Sequence, residues 1–200
     1  MNSFAIITNM NKGLLIILSG PSGVGKGTVR EYIVKTQKVD MVFSISMTTR
    51  KPRPGEQNGV DYYFVSQEEF DHNLEIGNFL EHATFVGNSY GTPKDAVERL
   101  RNEGKNVLLE IEVNGATQVL DSVHDDRVVS FFLMPPSVEV LKNRIIGRRT
   151  ESSEIIEQRI AKGVKEMQEA HRYDYVIVNN RVKDTGDQII EILLNKLNAN

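Results

Sequence analysis

The 200-residue chain contains no cysteine, which excludes disulfides, thiolate metal sites and cysteine nucleophiles. Long apolar runs are missing too, so no stretch reads as a membrane-spanning helix. Charge of one sign is not in excess: 24 Lys and Arg stand against 27 Asp and Glu, giving a net charge of −3. A chain of that balance, with a pI near 5.9, does not coat nucleic acid through its overall field, although a local basic pocket remains open to it. Histidines are few and scattered. His72, His82, His124 and His171 lack ligand spacing and read as structural or exposed. The opening stretch MNSFAIITNMNKG has no basic n-region, apolar h-region or small-residue cleavage site, so a cytoplasmic protein is expected. Repeats and low-complexity tracts are absent. What is present, 40% hydrophobic and 26% charged residues, suits a globular body with a substantial core.

Leu14 to Ser19, LLIILS, is a continuous aliphatic run of the kind found in strands buried on both faces. A helix is expected over Thr28 to Lys35 and a short strand over Met41 to Ile45. Ser66 and Glu69 form a capping box for a helix towards Leu74, and Thr92, Pro93 and Asp95 supply an N-cap and first turn for a helix ending at Gly104. Phe79 to Val86 is a short strand candidate between them. Further buried strands are expected at Asn106 to Val113, Arg127 to Met134 and Tyr175 to Val178. Helices are expected from Ser137 through VEVLKNRII, over Ser153 to Ala170, and after a Thr185/Gln188 cap. Alternation of this kind predicts right-handed β-α-β crossovers and a doubly wound parallel sheet, α/β in class. Two segments fit the core poorly: Thr48 to about Tyr90 is rich in turns, and Ser137 to about Gln168 is too polar to bury. They read as two appendages on one domain.

GPSGVGKGT, comprising Gly20, Pro21, Ser22, Gly23, Val24, Gly25, Lys26, Gly27 and Thr28, lies between the first strand and a helix, the context a phosphate-binding loop requires. Its glycines let successive N–H groups turn inward, the helix N-terminus adds partial positive charge, and Lys26 supplies a point charge for β- and γ-phosphates. Gly27 stands where the usual motif has a hydroxyl, which arrives one residue later at Thr28. Side-chain magnesium ligands are therefore not assigned from the loop. Downstream, Glu110 and Glu112 in NVLLEIEV share a face if that stretch is a strand, at the end where open α/β sheets gather ligands.

TTRKPRPGEQNGVDYYF, Thr48 to Phe64, is a loop stiffened by Pro52 and Pro54. Arg50 and Arg53 present planar donor forks, and Tyr62 and Tyr63 add hydroxyls. On its own this is either a solvated basic turn or an anion site.

Together the two motifs resemble the guanylate kinase family over essentially the whole chain: Arg50, Arg53, Glu56, Gly59, Tyr62 and Phe64 are in register with its GMP-binding motif, downstream of a matching phosphate loop. The resemblance implies a P-loop NTPase-like core (about 12–46, 92–136 and 170–200), a GMP-binding lobe (about 47–91) and a helical lid (about 137–169). It implies transfer of the γ-phosphoryl group of ATP to GMP with Mg²⁺, in purine nucleotide metabolism, by a monomer or homodimer that engages neither nucleic acid nor membrane. Arg50, Arg53, Tyr62 and Tyr90 would hold the GMP phosphate, Glu56 would brace the arginines, and Ser46, Glu81, Thr92 and Glu112 would face guanine. Glu110 would lie near metal and phosphates, with Thr28 and Glu110 reaching the metal through water. Arg144, Arg148 and Arg159 resemble the lid arginines; Arg149 replaces the family's usual glycine, an added charge without an assigned role. Asn179 and Asn180 resemble the adenine-side turn. Tyr63 should point away from the ligand by strand alternation.

Three rival readings are weaker. Guanylate-kinase-like peptide-binding modules of scaffold proteins characteristically have damaged phosphate loops, whereas Gly25, Lys26 and Thr28 are present here. A regulatory GTPase needs an N-K-x-D motif, and the nearest stretch, Asn195 to Asn198, lacks the aspartate. A kinase for another mononucleotide fits the tyrosine-flanked arginine loop poorly.

Overall fold

The computed structural model describes residues 12–147 and 153–199. Arg148 and Arg149 lie outside the described residues. The chain runs β1 (Leu15–Ser19), α1 (Lys26–Thr36), β2 (Met41–Phe43), β3 (Met47–Thr48), β4 (Tyr63–Phe64), α2 (Gln67–Glu75), β5 (Phe79–Phe85), β6 (Asn88–Pro93) and α3 (Lys94–Asn102). It continues through β7 (Asn106–Glu110), α4 (Val113–Ser122), β8 (Val128–Met134), α5 (Val138–Ile146), α6 (Ser153–Glu166), a 3-10 segment (Met167–Arg172), β9 (Tyr175–Val178) and α7 (Val182–Asn198). Five strands form one sheet in the order β2-β7-β1-β8-β9, and four form a second in the order β4-β3-β6-β5.

The alternation of buried apolar runs with helices yields the expected α/β architecture with a doubly wound sheet. All five residues of β1 are buried, and β8 buries Val129, Phe131, Phe132 and Leu133 completely. Each such side chain contributes about 1.5–3 kcal/mol of transfer free energy. β8 and β9 pair in parallel, Phe131 opposite Tyr175. The smaller sheet is mixed: β3 pairs β4 in parallel and β6 antiparallel. β5 and β6 form a hairpin whose two-residue tip places Val86 at φ 48 and Gly87 at φ 72, the sign that matches strand twist.

Four expectations are corrected. β7 ends at Glu110 and α4 begins at Val113, so Glu110 and Glu112 do not share a strand face; Glu112 sits in the turn. Thr92 is the penultimate residue of β6, and Pro93 takes the N-cap position of α3, because Asn88–Pro93 has the low strand propensity that hides a hairpin arm. Thr185 is buried inside α7, whose N-cap is Arg181; its hydroxyl, 3.1 Å from Asn179 Oδ1, bonds that side chain instead of capping. The helix expected to reach Ala170 stops at Glu166 and tightens into the 3-10 segment. Ser66 does cap α2, accepting from the Glu69 N–H at 3.1 Å.

Two compact units are distinguished. Among the described residues, one comprises those up to Leu15 with Val42–Leu108 and Asn114–Arg127; the other comprises Ile16–Met41, Leu109–Val113 and those from Val128 onward. The first is anchored by a buried cation. Arg101 has no exposed side-chain surface and donates to the Gly13 carbonyl at 3.1 Å, to Glu98 at 2.7 Å and to Asp125 at 2.9 Å. Lys12 lies 2.8 Å from Glu98 and 2.9 Å from Asp125. Burial pushes the Asp125 carboxyl up, but hydrogen bonds from Lys12, the Arg127 N–H and Arg101 outweigh it and hold it far below the usual carboxylate range. In the second unit, Tyr32 of α1 donates to Asp187 of α7 at 2.9 Å, and Gly186 gives room for the Tyr32 ring, which a Cβ there would meet at 2.3 Å.

Replacing Arg101 with Met leaves Glu98 and Asp125, both only partly solvated, to share Lys12 alone, and should lower unfolding free energy in urea by about 2–4 kcal/mol at neutral pH. Because the Asp125 pKa is depressed in the folded state, its contribution is complete above the unfolded value and is lost as pH falls. The gap between wild type and variant should therefore narrow below the ordinary carboxylate range; a gap constant with pH would contradict the network's assignment.

Candidate active site

β1 ends where a chain reversal is needed to enter α1, and the loop makes that reversal through glycines. Gly20, Gly23 and Gly25 have φ of 145, 87 and 101, values that a side chain opposes. Space is short as well: a Cβ on Gly20 would lie 2.5 Å from the Leu133 carbonyl, and one on Gly25 would lie 2.9 Å from Asn179 Nδ2. The resulting pocket has a volume of about 440 Å³ and is lined by Gly20, Ser22, Gly23, Gly25, Lys26, Gly27 and Thr28 of the loop, with Glu31, Glu110, Ile111, Glu112 and Glu166.

Long-range contacts fix the loop. The Asn179 side chain donates to the Val24 carbonyl at 2.8 Å. Arg144 of α5 donates to the Val24 carbonyl and to the Asn179 carbonyl, both at 3.0 Å. Arg159 of α6 donates to the Ser22 hydroxyl at 2.8 Å, and the Ser22 N–H donates to Glu166. Lys26 folds onto its own loop, 2.7 Å from the Gly20 carbonyl. Burial pulls its ammonium below the ordinary lysine value, against the raising influence of Glu110, Glu112 and Glu166. An anion arriving there meets a desolvated cation that loses little further water on binding.

Glu110 Oε2 is buried and makes no hydrogen bond, although Arg30 Nη1 lies 3.1 Å away. Its other oxygen is 3.7 Å from where a Gly27 Cβ would be. A hard cation shared with bound phosphates fits this oxygen, since Mg²⁺ characteristically takes one or two carboxylates and completes its shell with phosphate and water. Glu112 pairs with Lys162 at 2.7 Å.

The arginine loop is built in the other unit. Glu56 accepts two bonds from Arg50, at 2.8 and 3.0 Å, and a third from the Arg53 N–H at 2.7 Å. The Arg50 hydrogen bond, then the Arg53 N–H, holds the Glu56 carboxyl below its ordinary value. Arg50 lies over the rings of Tyr62 and Phe64, 5.5 and 5.7 Å from their centroids, and Tyr62 meets Tyr90 edge-on at 6.2 Å. The Tyr63 ring lies beside Gly59, 3.8 Å from where a Cβ there would be. Arg53 is exposed. Glu81 faces Thr92 across the β5–β6 hairpin, and the Thr92 hydroxyl donates to it at 2.6 Å. Met47 pairs with Gly91, so Ser46 is next in register beside Thr92. A Cβ on Gly115 would come within 2.7 Å of Glu81 Oε2, so α4 approaches that carboxylate closely. All four histidines are exposed.

A guanylate kinase family model matches residues 12–196. The chain belongs to the guanylate kinase family. It is 51% identical to the guanylate kinase of Mesoplasma florum over 92% of its own length and 61% of that protein's. With the guanylate kinase of Enterococcus faecalis it shares 52% identity over 91% of this chain and 88% of that one. The crystal structure of guanylate kinase from Anaplasma phagocytophilum superposes with a TM-score of 0.69 at 35% identity, covering 94% of this chain and 87% of that one. The chain therefore spans less than two thirds of the Mesoplasma protein.

The residues that sequence reading missed act over long separations. The resemblance names Asn179 without its contact to the phosphate loop 155 positions away; Glu166, Lys162 and Gly115 give no local signal. Asn179→Ala removes a buried donor and leaves the Val24 carbonyl with one fewer partner. Thermal and urea unfolding should show a loss of about 1–3 kcal/mol; stability unchanged from wild type would contradict the bracing role.

Proposed function

We propose that this protein transfers the γ-phosphoryl group of ATP to GMP, giving ADP and GDP, with Mg²⁺ as cofactor. The observation that carries the reading is the pairing of a braced phosphate loop around a desolvated Lys26 with a separate Arg50–Glu56–Tyr62 cluster of phosphate-binding chemistry. ATP would lie along the loop, its β- and γ-phosphates on the inward N–H groups and Lys26. Glu110 and Thr28 would hold Mg²⁺ through water beside the phosphates, and the ion would supply charge neutralisation there. Arg144 and Arg159, already bonded to the loop, are placed to answer the charge that develops there.

GMP would bind through its phosphate to Arg50, Arg53, Tyr62 and Tyr90, with Glu56 keeping Arg50's donor plane fixed. Its base would meet Glu81, Thr92 and Ser46. Guanine offers N1–H and an exocyclic amine side by side, so the Glu81 carboxylate can accept both while the Thr92 hydroxyl fixes its rotation. Adenine puts a lone pair at N1 and would leave that carboxylate facing an acceptor. The acceptor phosphate, with a second pKa of about 6, is mostly ionised at neutral pH. No strong general base is needed, and positioning with electrostatics carries the step. The intact Gly25, Lys26 and Thr28 favour an enzyme over a peptide-binding module of the same fold.

Glu81→Gln replaces one acceptor with a donor and should lower kcat/KM for GMP by about 10- to 100-fold, the cost of one or two bonds to a charged group, while GMP-over-AMP selectivity collapses. Unchanged selectivity would refute the base-reading role. Lys26→Met should reduce kcat by roughly 10²–10³-fold without altering the melting temperature downward. Full activity in that variant would remove the phosphate-loop assignment.

A further inference from the structure

The phosphate-loop pocket is lined by four glutamates, Glu31, Glu110, Glu112 and Glu166, against one lysine, Lys26. Arg144 and Arg159 add positive charge at the loop and Glu110 is the acid a divalent cation would use, but any carboxylate left unneutralised repels a polyphosphate. Glu110 has Arg30 beside it. Glu112 and Glu166 share a different cation. Lys162 of α6 places its Nζ 2.7 Å from Glu112 Oε2 and 3.6 Å from Glu166 Oε1. It is one helical turn from Arg159 and from Glu166, the two α6 residues that bond the loop at Ser22.

The Lys162–Glu112 pair is too solvated to act as a strut, with side-chain exposures of 52% and 69%; a pair that exposed contributes little to stability. Its effect falls on the field inside the pocket instead. Burial pulls the Lys162 ammonium down, but its bond to Glu112 and the charges of Glu112 and Glu166 raise it above the ordinary lysine value, so it remains a full cation at neutral pH. Glu166 is the more enclosed acid, 11% exposed, with one oxygen buried and making no hydrogen bond.

We propose that Lys162 is a positioning residue of the nucleotide site: it neutralises Glu112 and Glu166 and so keeps the pocket attractive to the polyphosphate chain of ATP or ADP. This rests on the phosphate-loop reading above. The sign of two substitutions separates the role from a structural one. With Lys162 removed, both carboxylates face the ligand. With Glu112 removed, Lys162 is released from one acid and adds to the attraction.

The test is calorimetric titration of the full chain with ADP and Mg²⁺. At low ionic strength Lys162→Met should weaken ADP binding roughly three- to tenfold, and the effect should shrink in high salt. Glu112→Gln should tighten binding by a comparable factor, the double variant should return most of the way to wild type, and Lys162→Arg should match it. Melting temperatures should change little, because the pair is exposed. If Glu112→Gln weakens ADP binding as Lys162→Met does, the pair is a strut holding α6 and the inference is overturned. It is also overturned if wild type binds ADP and Lys162→Met binds it equally well. A wild-type chain that did not bind ADP would overturn the phosphate-loop reading and this inference with it.

Discussion

The backbone of the loop between β1 and α1 must hold its N–H groups towards one small volume, and the rest of the site depends on that constraint. Three positive-φ glycines make the curl attainable, but they do not make it stable, since glycine is the residue with most conformational freedom to lose. The missing order comes from distant parts of the chain: Asn179 after β9, Arg144 on α5, Arg159 and Glu166 on α6. Each satisfies a polar group of the loop, so the segment after β8 serves the loop as well as any lid motion. With the loop fixed, Lys26 can be kept desolvated and pointed at its own carbonyl until an anion displaces it.

The same physical device recurs in the arginine loop. Arg50 is held by two Glu56 oxygens and flanked by Tyr62 and Phe64, so its donor plane is set before any phosphate arrives. A carboxylate partner keeps a cation ordered, and the cation's remaining face stays available to an incoming anion. Arg30 beside Glu110, and Lys162 beside Glu112 and Glu166, extend this logic to the acids around the phosphate loop. On the proposed reading these pairs serve ligand binding, whereas Arg101, through its burial, anchors the fold.

Much of the fold was legible because it depends on local patterns. Aliphatic runs at Leu14–Ser19 and Arg127–Met134 have no alternative to a buried strand, and the loop GPSGVGKGT is unambiguous between a strand and a helix. What failed to show was set by tertiary context. Asn88–Pro93 is a poor strand by propensity and becomes one because β3 and β5 lie on either side of it. Thr92 and Thr185 looked like caps, since a threonine before a polar turn is a cap by default, but one faces Glu81 across a hairpin and the other is buried against Asn179. Glu112 shifted from a strand face to a turn because β7 ends at Glu110, three residues short of the Val113 expected. At the site, the phosphate-loop pattern was readable from spacing, and the arginine-loop roles came from the resemblance. Glu56, six residues from Arg50, was legible as a brace, but Arg144, Arg159 and Asn179 were not legible as braces of the phosphate loop, because their partners there are more than a hundred positions away.

The central claim is that a phosphate loop and a guanine-reading hairpin serve one transfer reaction. It is tested most directly by coupled detection of ADP release from ATP and Mg²⁺ with GMP, AMP, dTMP and CMP offered separately as acceptors. The account predicts turnover with GMP that exceeds the others by roughly 10⁴-fold in kcat/KM, and little ADP release without an acceptor. Release that is independent of GMP, or equal with AMP, would contradict it.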